Sequence, residues 1–359
     1  MQPDKTMKAI VLLGPDEFEL QHIPVPVPED DEVLCKIQAV AICGSDPKII
    51  HGDMKGIWPP TYPFVIGHEW AGEVIALGSS VKGLWVGQRV AGEAHCGCGV
   101  CAMCKQGRYN LCLNYGKKEM GHRHYGHNST GSYAQYGVFK ERSLTPIPDG
   151  VPYDQAAIVD AAGTGLHAIE LTGITPGGTV VVFGPGPIGM VVGKLAKLLG
   201  AGKVIMIGRG ERLRISLNIC ADHIVDFEKN NVVEEVRKLT GGIGADEVFE
   251  CSGASGTIDQ SLKVTRKGGK VGLLGIPSPD SRAPIDDRKL ILDEITLFGS
   301  RANPNVSGKL LSMISAGKLY IADLVTHHFS IDDFAIALDT FMHRKDGAIK
   351  VIIEPNRND

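Results

Sequence analysis

Five cysteines stand within seventeen residues in C-G-C-G-V-C-A-M-C-K-Q-G-R-Y-N-L-C, Cys96 to Cys112. Cys98, Cys101 and Cys104 are separated by two residues each, and Cys112 follows after seven more. A disulfide knot, a reactive-thiol centre and a metal site are the three chemistries open to such a cluster. Two-residue gaps let consecutive thiolates turn towards one ion, and four sulfurs suit zinc. Gly97, Gly99 and Gly107 let the backbone wrap tightly around it. Four sulfurs leave no open coordination position, so this zinc is expected to be structural, with the chemistry elsewhere. Cys96 is the odd cysteine and is expected to be inert.

A second set of donors is spread along the chain. A-I-C-G-S-D puts Cys43 at the end of an apolar strand, with Ser45 and Asp46 close behind. Y-P-F-V-I-G-H-E-W puts His68 and Glu69 at the start of another, and Asp160 stands beside the start of a helix. One Cys, one His and one carboxylate make a three-ligand site with a vacancy. Taken singly, each has a plainer reading: a small buried thiol, or a satisfied His–Glu pair.

A third motif binds rather than reacts. V-V-V-F-G-P-G-P-I-G-M-V-V-G-K-L-A-K-L-L-G is an apolar strand, a glycine turn and a helix, the context a dinucleotide fingerprint requires. Gly184 allows the turn, Gly186 the approach of a pyrophosphate, and Gly189 close helix–strand packing, with Pro187 and Ile188 opening the helix. The phosphates then face a helix N-terminus. The acid that usually holds the ribose 2′-OH is missing at the end of the next strand. Gly208 stands there, followed by Arg209, with Arg212 near. Loss of the carboxylate and gain of arginine favour NADP over NAD.

The elements that must position these residues fall into two textures. The first 150 residues read as β-rich, with short apolar runs broken by Pro and Gly clusters. Beyond them, fully apolar strands such as T-V-V-V-F-G and K-V-I-M-I-G alternate with helices, the pattern of a parallel α/β sheet. The last sixty residues are helical and close with an apolar strand that can return to the first domain. A length of 359 residues suggests two domains. A net charge of −4 gives no footprint for nucleic acid. No stretch approaches the roughly 18 apolar residues of a membrane helix. The start lacks the pattern of a signal peptide, so a cytoplasmic location is expected, where clustered cysteines more often bind metal than pair.

Taken in order and spacing, these motifs resemble the zinc-dependent medium-chain alcohol dehydrogenase superfamily over essentially the whole chain. The resemblance rests on C-G-S-D at 43–46, G-H-E-x-x-G at 67–72, the Cys98/101/104/112 lobe, G-T-G-L-H-A at 163–168 and G-P-G-P-I-G at 184–189. It implies an α/β chain with a GroES-like β-rich catalytic domain (1–156 and 300–359, the zinc lobe at about 95–113). Inserted in it is a Rossmann doubly wound parallel-sheet cofactor domain (157–299). By resemblance, Cys43 and His68 ligate a catalytic zinc, Asp160 ligates it or lies beside it, and Glu69 can swing onto it. Ser45 is similar to the hydroxyl that receives the substrate's proton, and Asp46 to the partner that fixes the tautomer of His68. Many members carry a His five residues after the first ligand; here that position is Lys48. His51 is expected to take the relay role and Lys48 to meet cofactor phosphate or ribose.

The carboxylate at 160 resembles the polyol and threonine dehydrogenase branch. Arg301 stands near where sorbitol dehydrogenase-like enzymes place a substrate arginine. Trp58 and Trp70 are expected to wall the pocket. Tyr125, His122 and Asn128 can read hydroxyls, the alternative being that their segment is a polar surface loop. The expected function is hydride transfer between a polyol or sugar-derived secondary alcohol and NAD(P)⁺. Threonine or another amino alcohol is the second substrate. A non-catalytic cofactor-binding protein and a zinc-free reductase are the alternatives of other kinds, and the complete donor set argues against both. The resemblance also implies a homodimer or homotetramer.

Overall fold

The computed structural model describes residues 5–54, 56–278 and 281–357. The chain divides into two compact units, residues 1–161 with 304–359, and residues 162–303.

In chain order the first unit contains β1 (Thr6–Gly14), β2 (Glu17–Pro24), β3 (Glu32–Ala41), the short helix α1 (Asp46–His51), β4 (Phe64–Val65), β5 (Glu69–Leu77) and β6 (Arg89–Gly92). Then come β7 (His95–Cys96), the single turn α2 (Ala102–Lys105), β8 (Arg123–His124), β9 (Tyr136–Lys140), β10 (Leu144–Pro146) and α3 (Tyr153–Ala157). Helix α4 (Val159–Thr172) leads into the second unit: β11 (Thr179–Phe183), α5 (Pro187–Leu198), β12 (Lys203–Gly208), α6 (Gly210–Ile219), β13 (His223–Asp226), α7 (Val232–Leu239), β14 (Ala245–Glu250), α8 (Thr257–Val264), β15 (Thr265–Leu273), α9 (Asp287–Leu292) and β16 (Thr296–Gly299). The chain returns to the first unit with α10 (Ser307–Ser315), β17 (Val325–Ser330), α11 (Phe334–His343) and β18 (Lys350–Glu354).

The first unit is built on a seven-stranded sheet, β10-β6-β5-β3-β18-β17 with β9 also on β3. Its core packs Val40, Trp70, Phe139, Phe334 and Ile353, all almost fully buried. The closing strand does return: β18 pairs antiparallel with β3, Ile352 opposite Ala41 and Ile353 opposite Val40. That register carries the site. The end of β3 also faces the start of β5, with Ala41 opposite Glu69. Cys43, His68 and Lys350 are each within two residues of these paired positions, so three strand ends converge.

The second unit is the doubly wound sheet that the apolar runs predict. Its six strands lie in the order β13-β12-β11-β14-β15-β16, and every pairing is parallel. Val204 to Ile207 of β12 are buried without interruption, because helices cover both faces of such a sheet.

Candidate active site

The lobe first. Zinc–sulfur bonds of about 2.3 Å set a tetrahedral sulfur–sulfur edge of about 3.8 Å. The sulfurs of Cys98 and Cys104 lie 3.9 Å apart, as do those of Cys101 and Cys112. None of the nine cysteines is in a disulfide, so no such bond competes. The four Sγ atoms lie within 4.8 Å of one another. Donors surround them: Cys98 N–H points at Cys112 Sγ, Cys101 N–H and the Asn114 amide at Cys98 Sγ, and Leu113 N–H at Cys101 Sγ. Burial works to raise the Cys98 thiol, but the hydrogen bonds from Asn114, Val100 and Cys101 bring it down to about 6. Such donors favour thiolate, the form that binds metal. Cys96 is outside the set, buried, and pushed by that burial up to about 11, which suits an inert thiol.

The second donor set is Cys43, His68 and Glu69, whose ligating atoms also lie within 4.8 Å of one another. One thiolate, one imidazole and one carboxylate suit a zinc ion that keeps a position open. Asp46 organises them from the first turn of α1. Its Oδ2 accepts the Cys43 N–H at 2.8 Å and the Tyr133 hydroxyl at 2.7 Å, and its Oδ1 lies 3.5 Å from His68 Nδ1. At that distance the carboxylate makes no hydrogen bond, but its charge favours a proton on Nδ1, which would leave Nε2 for a metal. Glu69 is engaged by the ammonium of Lys350, which also donates to the Ile42 carbonyl. Burial pushes the Glu69 carboxyl up, and Lys350 works against it. Ser45 follows Cys43 by two residues, and its Oγ is buried with no hydrogen-bond partner among the described residues. A buried orphan hydroxyl is a group waiting for a ligand.

Several expected residues lie elsewhere. Asp160 is not a member of the set whose ligating atoms lie within 4.8 Å of one another; its Oδ1 accepts the Ala94 N–H at 3.1 Å. His51 sits exposed at the far end of α1, its Nδ1 2.8 Å from Asp16 Oδ2, so it is part of a surface ion pair and not of a relay from Ser45. Lys48 is exposed on the same helix. Trp70 walls no pocket: it is wholly buried and stacked on Phe139 at 4.1 Å. Tyr125 is likewise a core residue, edge-on to Phe139, its hydroxyl accepting the Lys140 N–H at 2.8 Å. Residues 122–129 form no surface loop, since His122, His124, His127, Asn128 and Ser129 are all buried. Trp58 is half-buried and meets His127 edge-on at 4.8 Å. His127 in turn leans on His68 at 4.5 Å. Sequence reasoning passed over His95, His124, His127, Tyr133 and Lys350. The one available signal was histidine density, four of the chain's twelve falling between 95 and 127.

The second unit carries the coenzyme loop. Gly184 adopts φ +98, and a Cβ at Gly189 would lie 2.0 Å from the Gly184 carbonyl, so α5 packs directly on the end of β11. Around Gly186 a Cβ would meet nothing within 4 Å. Gly186 caps the twelve-residue α5 without a side-chain bond, and Pro187 and Ile188 open the helix. The cradle therefore fits a pyrophosphate. At Gly208 a Cβ would lie 2.4 Å from Pro185 Cδ, so the loop's own proline excludes the usual acid. Arg209 caps α6 and is exposed. Its guanidinium is 2.7 Å from Glu228 and lies over the Phe227 ring. Arg212 is buried. Arg301 is exposed just beyond β16.

Comparison with known proteins agrees with both units. Residues 29–149 match the family model described as alcohol dehydrogenase GroES-like domain, and residues 187–316 that described as zinc-binding dehydrogenase. A sorbitol dehydrogenase of Bacillus subtilis is 32% identical over 354 residues, 98% of each chain. A D-arabitol-phosphate dehydrogenase of Enterococcus avium is 33% identical over 360 residues, again 98% of each. Among solved structures, a zinc-binding dehydrogenase of Sinorhizobium meliloti bound to NADP superposes with a TM-score of 0.89 at 30% identity, covering 98% of this chain and all of that one. Among the described residues, no helix is long and apolar enough to cross a membrane.

Proposed function

The chain belongs to the zinc-dependent medium-chain alcohol dehydrogenase family, and from that membership we propose that it oxidises a secondary hydroxyl of a polyol or sugar-derived alcohol with NADP⁺. The observation that carries the proposal is the convergence of Cys43, His68 and Glu69, with the unpartnered hydroxyl of Ser45 two residues after Cys43.

The reaction is R₂CHOH + NADP⁺ → R₂C=O + NADPH + H⁺. The chemistry that the two groups would supply when bound is Lewis-acid polarisation of the substrate oxygen, from zinc, and a hydride acceptor, from the nicotinamide. The chain's residues do the rest. Cys43 and His68 would hold the metal, with Glu69 a third donor that Lys350 holds from the other side. The charge of Asp46 favours the tautomer of His68 that presents Nε2. Ser45 Oγ, buried and without a hydrogen-bond partner among the described residues, would accept the proton of the reacting hydroxyl as its own proton leaves to solvent. Trp58 offers an apolar face for the substrate's carbon chain. Asp160 remains a candidate for a place beside the metal.

The NADP preference rests on Arg209, the excluded acid at 208 and the buried cation Arg212. The cysteines, none of them in a disulfide, suit a reducing cytoplasm. A homodimer is favoured by the free edge of β16 and by Ile276, Ile291 and Leu292, each more than 60% exposed in the same stretch of chain.

The test is coenzyme reduction followed by absorbance, with NAD⁺ and NADP⁺ in parallel. Polyols, polyol phosphates, sugars, threonine and simple alcohols make up the panel. Turnover of a polyol, a polyol phosphate or a sugar supports the reading; turnover confined to threonine or to simple alcohols overturns the substrate assignment.

A further inference from the structure

Four buried imidazoles form one continuous stack. His95 and His124 are cross-strand partners in β7 and β8. Their rings lie 3.9 Å apart with 18° between planes. His124 lies on His127 at 3.8 Å and 5°. His127 leans on His68 at 4.5 Å, and all four are between 3% and 6% exposed.

The stack is fastened to the cysteine lobe on both sides. His95 precedes Cys98 by three residues, and Tyr115 follows Cys112 by three. The Tyr115 hydroxyl lies 2.6 Å from His124 Nδ1 and accepts the Trp58 indole N–H at 2.8 Å. Asn114, the neighbour of Tyr115, donates to Cys98 Sγ at 3.3 Å. His127 donates Nδ1–H to the Tyr125 carbonyl at 3.0 Å, which fixes that ring in its plane. His68 is therefore held at its edge by Asp46 and at its face by His127. Close-packed rings transmit displacement because no void absorbs it. A metal ligand's orientation is set by what touches it.

We infer that Tyr115, His124 and His127 are positioning residues for the metal at Cys43, His68 and Glu69, and that through them the lobe fixes the geometry of that centre. The inference rests on reading both donor sets as metal sites, and not on which alcohol is oxidised. The lobe then has a second role besides stabilising its own loop: it sets how firmly the distant metal is held.

The test uses full-length protein carrying zinc in the lobe and cobalt at the Cys43 site. Cobalt release to excess chelator is timed by loss of its visible absorption, and no turnover is read. Tyr115→Phe keeps the ring and removes only the hydroxyl. It is expected to speed cobalt release about tenfold while the lobe keeps its zinc and the protein stays fully folded at the assay temperature. Cys101→Ser is expected to speed release in the wild-type background and to add less than about twofold in the Tyr115→Phe background, the signature of a shared route. Release at the wild-type rate from Tyr115→Phe overturns the inference, as does an equal effect of Cys101→Ser in both backgrounds. If Cys101→Ser fails to fold, the Tyr115→Phe rate decides alone.

Discussion

Lys350 and Glu69, 281 residues apart in sequence, form an ion pair inside the first unit, where the starts of β18 and β5 meet. Both side chains are no more than 3% exposed. Removing one partner leaves the other charge buried and uncompensated. Lys350→Ala is therefore expected to cost about 3–5 kcal/mol. Lys350→Arg, which keeps the charge, should cost much less. Denaturant unfolding of the two variants checks this, and equal losses would show that packing, not charge, is at stake.

Glu93 gives a pH dependence. It accepts hydrogen bonds from Tyr109 at 2.5 Å and Ser307 at 2.6 Å. Burial pushes its carboxyl from 4.5 up to about 7, with those bonds opposing and Asp160 adding. The folded state thus binds this proton more tightly than the unfolded chain. Stability falls as pH rises from about 4.5 to about 7, by up to about 3 kcal/mol, and the loss is complete above that window. Glu93→Gln should flatten this part of the stability–pH profile. A variant profile parallel to wild type would show that Glu93 titrates normally.

Cys101→Ser should reduce the zinc content by one ion and lower the unfolding temperature, because a closed four-sulfur site contributes directly to folding. Metal analysis and thermal unfolding measure both. Full thermal stability with loss of turnover alone would mean that the lobe is not structural.

Arg209 and Glu228 decide the coenzyme. Arg209→Ala should weaken NADPH binding roughly tenfold or more and leave NADH nearly unchanged, since arginine recognises the 2′-phosphate. Glu228→Gln frees the guanidinium and should tighten NADPH. Titration by quenching of tryptophan fluorescence reads both. Unaltered NADPH affinity in Arg209→Ala would remove the basis for an NADP preference.

Much of this was legible in the sequence. The Cys98 lobe is a local pattern, and its geometry follows from spacing. The parallel sheet announces itself in runs such as 203–208, because strands covered on both faces have no polar side to show. Cys43 and His68 could be paired only through resemblance. What brings them together is the β3–β5 register, which no local signal encodes. The same holds for Lys350, supplied by the last strand of the chain. Trp70 misled because it stands two residues from His68, but β5 is an interior strand and that position faces the core. The segment 122–129 misled by its polarity. Its polar groups satisfy one another, Asn128 Oδ1 accepting from both His124 N–H and Ser129 Oγ, and so it can be buried. Asp160 stands at the right place in the motif. Its short side chain, however, turns to the Ala94 N–H.

The central claim is that hydride chemistry runs at Cys43, His68 and Glu69. The measurement that tests it most directly is reduction of NADP⁺ by a polyol, compared between wild type and Cys43→Ser at matched zinc content of the lobe. The account predicts turnover by the wild type and none detectable by Cys43→Ser, with the thermal unfolding of the variant close to wild type. Turnover retained by Cys43→Ser, with the same alcohol and coenzyme, would contradict it.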